Sequence, residues 1–241
     1  MTVMRIDGKR AVVTGGAVGI GRAIALRLAA AGAEVMVADI DVAGGSRTCE
    51  LIGSVARFVR VDMRDDAAVT DLMACQPQIL VNNAGGGAVL RPCFPEASVD
   101  RWSASLELNL RAPMLTTQLA LSAMQAAGGG AVVNIGSTAG LGLGPHLSPE
   151  YSAAKAALIR LTATLAPLSQ SHGVRVNCVV PDWVATERGV RERAALPVAD
   201  RGPELVSLEV LTDAVVRFVE DESLAGRVVL LDRGAEPRFL E

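Results

Sequence analysis

The sequence predicts an α/β protein built on a doubly wound, seven-stranded parallel sheet with helices on both faces. Short β-branched or apolar runs alternate with longer segments of helical period along all 241 residues, a pattern typical of parallel strands joined by crossover helices. Half of the residues are hydrophobic and 20% are charged, so the chain can bury one large core. No internal boundary is visible, and we therefore expect a single domain of the Rossmann type over residues 1–241.

Each predicted strand is a short β-branched or apolar run. In chain order, the strands are expected at Arg10–Thr14, Glu34–Ala38, Arg57–Arg60, Ile79–Asn82, Ala131–Ile135, Arg175–Val179 and Arg227–Leu231. Segments of helical period lie between them, at 20–31, 42–52, 66–74, 98–126, 150–171 and 208–221. Residues 184–206 are rich in Arg, Glu and Pro without a clear period, and we expect them to form a substrate loop.

Composition and charge exclude several classes of function. The net charge is -3 and the basic residues are scattered singly, which argues against a nucleic-acid partner. No apolar run reaches the ~18 residues of a membrane span, and the first ten residues have no signal-peptide character, so a cytoplasmic protein is expected. Four cysteines without paired spacing and only two histidines give no set of metal ligands.

A glycine-rich turn follows the first predicted strand and opens an alanine-rich helix. Gly15 can form the tight turn, Gly19 lets the backbone approach a pyrophosphate, and Gly21 allows the helix to pack closely. The free N–H groups at the helix N-terminus would bind the phosphates. The spacing is GxxxGxG rather than the more common GxGxxG. The turn predicts a dinucleotide site, and the alternative is an ordinary strand-to-helix turn.

Asp39 ends the second strand, 18 residues after Gly21, where a carboxylate can accept hydrogen bonds from both ribose hydroxyls of an adenosine. The same charge would repel a 2′-phosphate. Val18 and Ile40 are apolar and offer no cation for that phosphate, so the sequence favours NAD over NADP. The alternative is that Asp39 merely caps the next helix, although Asp41 is better placed as its cap.

Tyr151 and Lys155 lie four residues apart on a predicted helix and therefore on the same face. A fixed positive charge favours the phenolate and would bring the tyrosine closer to the pH at which it exchanges a proton with a substrate oxygen. Tyr151 is the only tyrosine of the chain. Taken alone, the pair could also be a surface tyrosine and lysine.

These motifs follow one another in a set order: the glycine loop, Asp39, the segment Asn82–Gly85 after strand 4, Ser137 after strand 5, and Tyr151 with Lys155. In this respect the chain resembles the short-chain dehydrogenase/reductase family in its small, single-domain form, from Gly8 to about Gly234. The resemblance implies an NAD-dependent oxidoreductase that transfers a hydride between nicotinamide and a secondary alcohol or ketone. A 3-hydroxyacyl, hydroxysteroid or polyol substrate would fit. The alternative is a non-catalytic NAD-sensing protein of the same fold.

The resemblance also assigns roles to four residues. Tyr151 would be the general acid/base, while Lys155 would lower its pKa and bind the nicotinamide ribose. Ser137 would hold the substrate oxygen. Asn109, a polar residue within an apolar helical stretch, would bind a water that links the lysine to solvent.

The cofactor contacts implied by the resemblance are spread over the strand ends. They are Thr14, Gly15, Val18, Gly19, Ile20, Gly21, Asp39, Ile40, Asp62, Met63, Asn83, Ala84, Gly85, Tyr151, Lys155, Pro181, Val184 and Thr186. No metal is implied. The long segments 98–126 and 150–171 resemble the helices that pair between subunits in this family, so a homotetramer is expected.

The chain departs from the family pattern at several positions. Asp182 follows Pro181 where a glycine is usual, and it could cap a turn or select a cationic or hydroxylated substrate. Arg233 stands where the family often has glycine, and it could project at a subunit contact or toward a pocket of a neighbouring chain. The segment between Asp62 and Asn82 is short, which predicts a helix of about two turns. The region after Thr186 is also short and suggests an open substrate pocket.

Overall fold

The computed structural model describes residues 3–86, 92–198, 201–202 and 204–241 of the chain. Within them, eight strands form one sheet in the order β3-β2-β1-β4-β5-β6-β7-β8. The first seven pair in parallel and β8 pairs antiparallel with β7. The strands are β1 Arg10–Thr14, β2 Glu34–Asp39, β3 Ala56–Arg60, β4 Ile79–Asn82, β5 Gly130–Ile135, β6 Val174–Pro181, β7 Val228–Leu231 and β8 Arg238–Leu240. The doubly wound sheet and all seven predicted strands are thereby confirmed.

Nine α-helices lie among the described residues. They are α1 Gly19–Ala30, α2 Val42–Ile52, α3 Asp66–Met73, α4 Val99–Leu106, α5 Ala112–Ala126, α6 Pro149–Thr164, α7 Leu168–Ser171, α8 Glu187–Ala195 and α9 Leu208–Glu220. A π-helical turn at Glu107–Arg111 joins α4 to α5, and a 3₁₀ turn at Thr138–Gly140 follows β5. The eight residues of α3 match the two turns expected from the short segment after Asp62. None of the helices in the described residues is both long and apolar enough to cross a membrane.

Alternating strand residues feed two separate buried clusters, one on each face of the sheet. Val13 of β1 belongs to the cluster that contains Ile24 of α1 and Leu211 of α9. Its neighbour Val12 belongs to the opposite cluster, which contains Met124 of α5. This near-continuous burial explains why the strands read as apolar runs in the sequence rather than as alternating polar and apolar residues.

Two of the predicted long helices are interrupted, and proline is the reason in both cases. In the segment predicted at 98–126, Pro113 has no N–H to donate, and the backbone passes through a π turn in which the N–H of Ala112 bonds to the carbonyl of Glu107. In the segment predicted at 150–171, Pro167 separates α6 from α7 for the same reason.

The order of the strands reverses between β1 and β4, since β2 lies on one side of β1 and β4 on the other. A crevice forms at such a switch point, at the carboxyl ends of the strands. The glycine loop after β1, Asp39 at the end of β2, and the segments after β4, β5 and β6 all meet at this edge. The fold therefore brings residues from distant parts of the sequence to one place.

Candidate active site

A cleft of about 860 Å³ opens along the carboxyl edge of the sheet. All of the site residues predicted from the sequence line it except Thr14 and Asn109. One half of the cleft is formed after β1, β2 and β3, which are followed by the glycine loop, Asp39 and Asp62. The other half contains Ser137, which follows β5, and Tyr151 and Lys155, which lie on α6. Among the described residues, no three His, Cys, Asp or Glu side chains are grouped so that they could hold a metal.

The glycine loop is held tightly, and its geometry leaves no room for larger residues at two positions. Gly15 has φ +65, and a Cβ atom there would come within 2.8 Å of the backbone of Ala84. A Cβ atom on Gly21 would overlap the carbonyl oxygen of Gly15. No side chain of the described residues caps the N-terminus of α1, which begins at Gly19. The first N–H groups of α1 are thus available to bind a phosphate at the cleft.

Thr14 lies behind the cleft rather than in its wall. Its side chain is buried, and its hydroxyl oxygen accepts hydrogen bonds from the N–H groups of Asn83 and Ala84, both at 3.0 Å. The Asn83 amide donates to the carbonyl oxygens of Thr14 and Gly15, again at 3.0 Å. Thr14 therefore fixes the glycine loop against the segment after β4, and its contact with the cofactor stays a prediction.

Asp39 faces the cleft, while Asp41 caps α2. The Asp41 carboxylate accepts a hydrogen bond from the N–H of Gly44 at 3.0 Å. Asp39 instead accepts from the N–H of Ala17 in the glycine loop and from the N–H of Asp41, both at 3.0 Å. The capping interpretation thus applies to Asp41, and the half-buried Asp39 carboxylate still has lone pairs for hydroxyl donors.

Arg64 also lines this part of the cleft, and sequence reasoning missed it. Its guanidinium donates to both carboxylate oxygens of Asp62, with the shorter bond at 2.6 Å. This hydrogen bonding holds the pKa of Asp62 below its usual value. Arg64 thus brings a cation to the same cleft as Asp39, but Asp62 already neutralises it.

Ser137, Tyr151 and Lys155 converge at the other end of the cleft. The Lys155 ammonium is buried, donates a hydrogen bond of 2.9 Å to the carbonyl oxygen of Ile135, and lies 5.7 Å from the centre of the Tyr151 ring. The Ser137 hydroxyl accepts from the N–H of Ala139 at 3.2 Å, and Ser137 is close enough to Tyr151 to act on the pKa of the phenol. A hydroxyl, a phenol and an ammonium thus lie within reach of one small ligand.

Burial dominates the acid–base properties of this group. Loss of solvation lowers the pKa of Lys155 from 10.5 to about 8. Burial also raises the pKa of Tyr151, and a hydrogen bond from Ser137 and the positive charge of Arg188 offset this effect only in part. The structure therefore reverses the expected direction for the phenol, because desolvation outweighs the nearby charges. The positive charge that lowers the pKa of the phenol is that of Arg188 in α8.

Asn109 is fully buried in the π turn and outside the wall of the cleft. Its amide exchanges two hydrogen bonds of 3.0 Å with the backbone of Gly86 and donates a third, of 2.9 Å, to the carbonyl oxygen of Ser105. The side chain thus anchors the segment after β4 to the helix. The water expected between Asn109 and Lys155 stays a prediction.

The segment after β6 carries Val184 and Thr186 to the cleft. Val184 forms a parallel bridge with Val206, and the Thr186 hydroxyl oxygen caps α8 by accepting from the N–H of Gly189 at 3.0 Å. A Cβ atom on Gly19 would contact the Thr186 methyl group at 3.4 Å. The N-terminus of α8 therefore lies against the glycine loop.

Helix α8 lies within the predicted loop 184–206. Five of its nine residues are charged and none is buried, which is why hydrophobic periodicity missed it. One face of the helix lines the cleft with Glu187, Arg188, Arg191 and Glu192. Arg188 donates a hydrogen bond to Glu192 at 2.7 Å. These four charged side chains are functional candidates that the sequence did not indicate, and they make this wall of the cleft polar.

Asp182 and Arg233 are partners in an ion pair, at 2.6 Å between Nε and Oδ2. The second carboxylate oxygen of Asp182 accepts a hydrogen bond from the Thr138 hydroxyl at 3.3 Å. Asp182 therefore neither caps a turn nor presents a free charge to a substrate, and Arg233 folds back onto its own chain rather than projecting from it.

The cleft fits a dinucleotide. Gly15 and Gly21 leave backbone space that a Cβ atom would fill, the α1 N-terminus has free donors, and Asp39 is placed for ribose hydroxyls. Lys155, Ser137 and Tyr151 lie at the far end, where a reacting group would be placed. The donor set is thus suited to a nicotinamide cofactor and a small oxygen-bearing substrate.

Comparisons with known proteins agree with this geometry. The chain is 35% identical to cis-4-hydroxycyclohexanecarboxylate dehydrogenase of Sinomonas cyclohexanicum over 93% of its own length and 95% of the relative's. It is 34% identical to galactitol 2-dehydrogenase (L-tagatose-forming) of Cereibacter sphaeroides, over 80% and 78% of the two chains.

Solved structures give the same result. One of them is provisionally named as an NAD(P)-dependent gluconate 5-dehydrogenase of Beutenbergia cavernae and has NADP bound at low occupancy. It superposes on this chain with a TM-score of 0.82 at 30% sequence identity, and the match covers 95% of this chain and 98% of that one. The sequence model of short chain dehydrogenases matches residues 9–196. The chain thus belongs to the short-chain dehydrogenase/reductase family of oxidoreductases, whose members bind a nicotinamide cofactor.

Proposed function

We propose that this protein is an NAD-dependent dehydrogenase that oxidises a secondary alcohol to a ketone. The observation that carries the proposal is the convergence of Ser137, Tyr151 and Lys155 at one end of a cleft that also contains Asp39 and the glycine loop. A protein that only senses the cofactor would need Asp39 and the glycine loop, but not the three residues Ser137, Tyr151 and Lys155. The non-catalytic alternative therefore leaves the buried lysine and the half-buried phenol without a purpose.

Asp39 supports NAD as the cofactor. Its carboxylate has lone pairs free for two ribose hydroxyls, and its charge would oppose a 2′-phosphate at the same place. The exposed neighbours Val18 and Ile40 offer no compensating cation. Arg64 also lines the cleft, and its pairing with Asp62 leaves it poorly placed to bind a further anion.

The chain's own residues would move a proton and orient the substrate, while the bound nicotinamide would accept the hydride. Ser137 would donate a hydrogen bond to the substrate oxygen and hold it against Tyr151. Tyr151 would then take the hydroxyl proton, or return it in the reverse direction. With a pKa of about 8, Lys155 is mostly protonated at neutral pH and would donate to the cofactor ribose while it keeps its bond to Ile135.

The raised pKa of Tyr151 favours its protonated form at neutral pH. Oxidation needs the phenolate, so the rate of alcohol oxidation would rise with pH, whereas ketone reduction would be faster at lower pH. The positive charge of Arg188 supports the phenolate and would bring oxidation closer to the neutral range.

For the substrate, a polyol or another polar secondary alcohol is the class that best fits. The wall formed by α8 is charged, which favours a substrate with several hydroxyl groups over a large apolar substrate such as a steroid. Galactitol and a hydroxycyclohexane carboxylate, the compounds in the names of two relatives, carry hydroxyl groups of this kind.

The experiment is to follow NADH formation with a panel of secondary alcohols that includes polyols, a 3-hydroxyacyl compound and a hydroxysteroid. Turnover with NAD and a polyol, faster than with NADP, would support the proposal. Tight binding of NAD without turnover of any alcohol or ketone would favour the sensing protein instead. The homotetramer and the cytoplasmic location stay predictions, and light scattering at micromolar concentration tests the first.

A further inference from the structure

Asp182 places a carboxylate at the end of the cleft that contains Ser137 and Tyr151. The residue follows the last residue of β6, and its N–H donates a hydrogen bond of 2.9 Å to the carbonyl oxygen of Leu231 at the end of β7. The backbone is therefore fixed by the sheet. The side chain cannot leave this position without a change in the backbone or in its rotamer.

Both oxygens of the carboxylate have partners. Oδ2 accepts from Arg233 Nε at 2.6 Å, and Oδ1 accepts from the Thr138 hydroxyl at 3.3 Å. The side chain of Arg233 is 26% exposed and that of Asp182 is 15% exposed. Solvent and salt screen such a pair much less than an exposed one. Because Thr138 adjoins Ser137, the carboxylate also fixes the segment after β5 that contains Ser137.

The Arg233 guanidinium lies close to three different segments of the chain. Besides its bond to Asp182, its guanidinium lies 5.9 Å from the centre of the Trp183 ring. Its Nη1 atom also lies 3.1 Å from where a Cβ atom of Gly202 would be. The C-terminal segment, the segment after β6 and the loop before α9 thus meet at one guanidinium.

By the resemblance, glycine is usual at the position of Asp182 and frequent at that of Arg233, and each charged residue alone would bring an uncompensated charge to this end of the cleft. Together they are 51 residues apart in sequence and in direct contact in the fold. The two departures from the pattern therefore belong together, since each neutralises the other.

We propose that Arg233 neutralises Asp182 and so keeps the cleft from favouring the oxidised form of the cofactor. This inference rests on the proposed function, in which nicotinamide lies at this end of the cleft. The oxidised ring carries a positive charge and the reduced ring does not. A carboxylate without its arginine would therefore bind NAD⁺ preferentially over NADH, whereas a neutral pair distinguishes little between them.

The test is the ratio of the dissociation constants of NAD⁺ and NADH, measured by calorimetry without any substrate. In Arg233→Gly, we expect NAD⁺ binding to strengthen relative to NADH by about tenfold, the effect that an opposite charge a few ångströms away has on a titrating group. Asp182→Gly leaves the guanidinium alone and should move the ratio in the opposite direction. The double variant Asp182→Gly/Arg233→Gly should return it to that of the unaltered protein.

Two further variants separate charge from packing. Arg233→Met keeps much of the contact with Trp183 without the charge and should behave like Arg233→Gly, while Arg233→Lys should restore the ratio. Arg27→Gly is the matched control, because it removes the exposed pair of 3.2 Å between Arg27 and Asp213, which joins α1 to α9 outside the cleft.

The possible results separate the two proposals. A ratio that is the same in Arg233→Met, Arg233→Gly and the unaltered protein would overturn the inference and leave the proposed function intact. So would a double variant that keeps the shift of Arg233→Gly. Failure of the unaltered protein to bind either form of the cofactor would overturn the proposed function, and the inference with it.

Discussion

Replacement of Lys155 by methionine removes a buried ammonium group and keeps a side chain of similar length in its place. Burial lowers the pKa of Lys155 from 10.5 to about 8. At about 1.4 kcal/mol per pH unit, this corresponds to about 3 kcal/mol by which the charged lysine destabilises the folded protein at pH 7. The bond from Nζ to the Ile135 carbonyl offsets about 1 kcal/mol of it. Lys155→Met should therefore raise the free energy of unfolding by about 2 kcal/mol at pH 7.

The sign of the pH dependence follows from the same pKa values. Between pH 8 and 10.5 the unfolded chain keeps the lysine proton that the folded chain has lost, so the unaltered protein gains stability as the pH rises. The advantage of Lys155→Met should therefore disappear by about pH 10. Urea unfolding of both proteins without cofactor, at several pH values, measures the difference in their free energies of unfolding. Lys9→Met is the matched control for loss of a lysine. Lower stability of Lys155→Met at pH 7, or a difference that does not change with pH, would refute the reasoning.

Three further predictions concern the cleft. Asp39→Ser should shift the ratio of kcat/KM for NAD over NADP by about 10- to 100-fold toward NADP, since it removes charged hydrogen bonds to the ribose and the repulsion of a 2′-phosphate; an unchanged ratio in steady-state kinetics would count against it. Arg188→Met should move the pH profile of alcohol oxidation to higher pH, because the charge that lowers the pKa of Tyr151 is lost. Gly21→Ala should weaken NAD binding by about tenfold or more, because its Cβ atom would overlap the Gly15 carbonyl, and calorimetry would show whether affinity is instead retained.

The parts of the site that local motifs encode were predictable from the sequence. The glycine loop needs only the order strand, turn and helix, and Tyr151 and Lys155 need only the period of one helix. Parallel strands bring their carboxyl ends to one edge of the sheet. Asp39, Asn83 and Ser137 could therefore be assigned to a common cleft from the sequence alone.

The features that the sequence did not reveal depend on contacts without a local pattern. Helix α8 has no apolar face, and the three residues of β8 are too few for a strand pattern. Strand β8 is held instead by Phe239, whose ring lies 5.2 Å from the Arg217 guanidinium and 5.1 Å from that of Arg227. The Asp182–Arg233 pair joins two loops across the sheet edge, and neither residue indicates its partner.

The direction of the Tyr151 pKa was also beyond sequence reasoning. A lysine one turn away suggested a lowered value, but the balance between a charge and desolvation depends on how deeply both groups lie. The structure places the half-buried Tyr151 beside the buried Lys155, and the positive charge that lowers the pKa of Tyr151 comes from Arg188, 37 positions along the chain in a helix that periodicity does not detect.

The central claim is that Tyr151 exchanges the substrate proton beside a bound nicotinamide. Its most direct test is the single-turnover formation of NADH by the unaltered protein and by Tyr151→Phe, each saturated with NAD and a secondary alcohol that the unaltered protein oxidises. We expect Tyr151→Phe to bind NAD with unchanged affinity and to form NADH at least ~100-fold more slowly, the contribution typical of a general acid/base. A Tyr151→Phe variant that forms NADH at the rate of the unaltered protein would contradict the account.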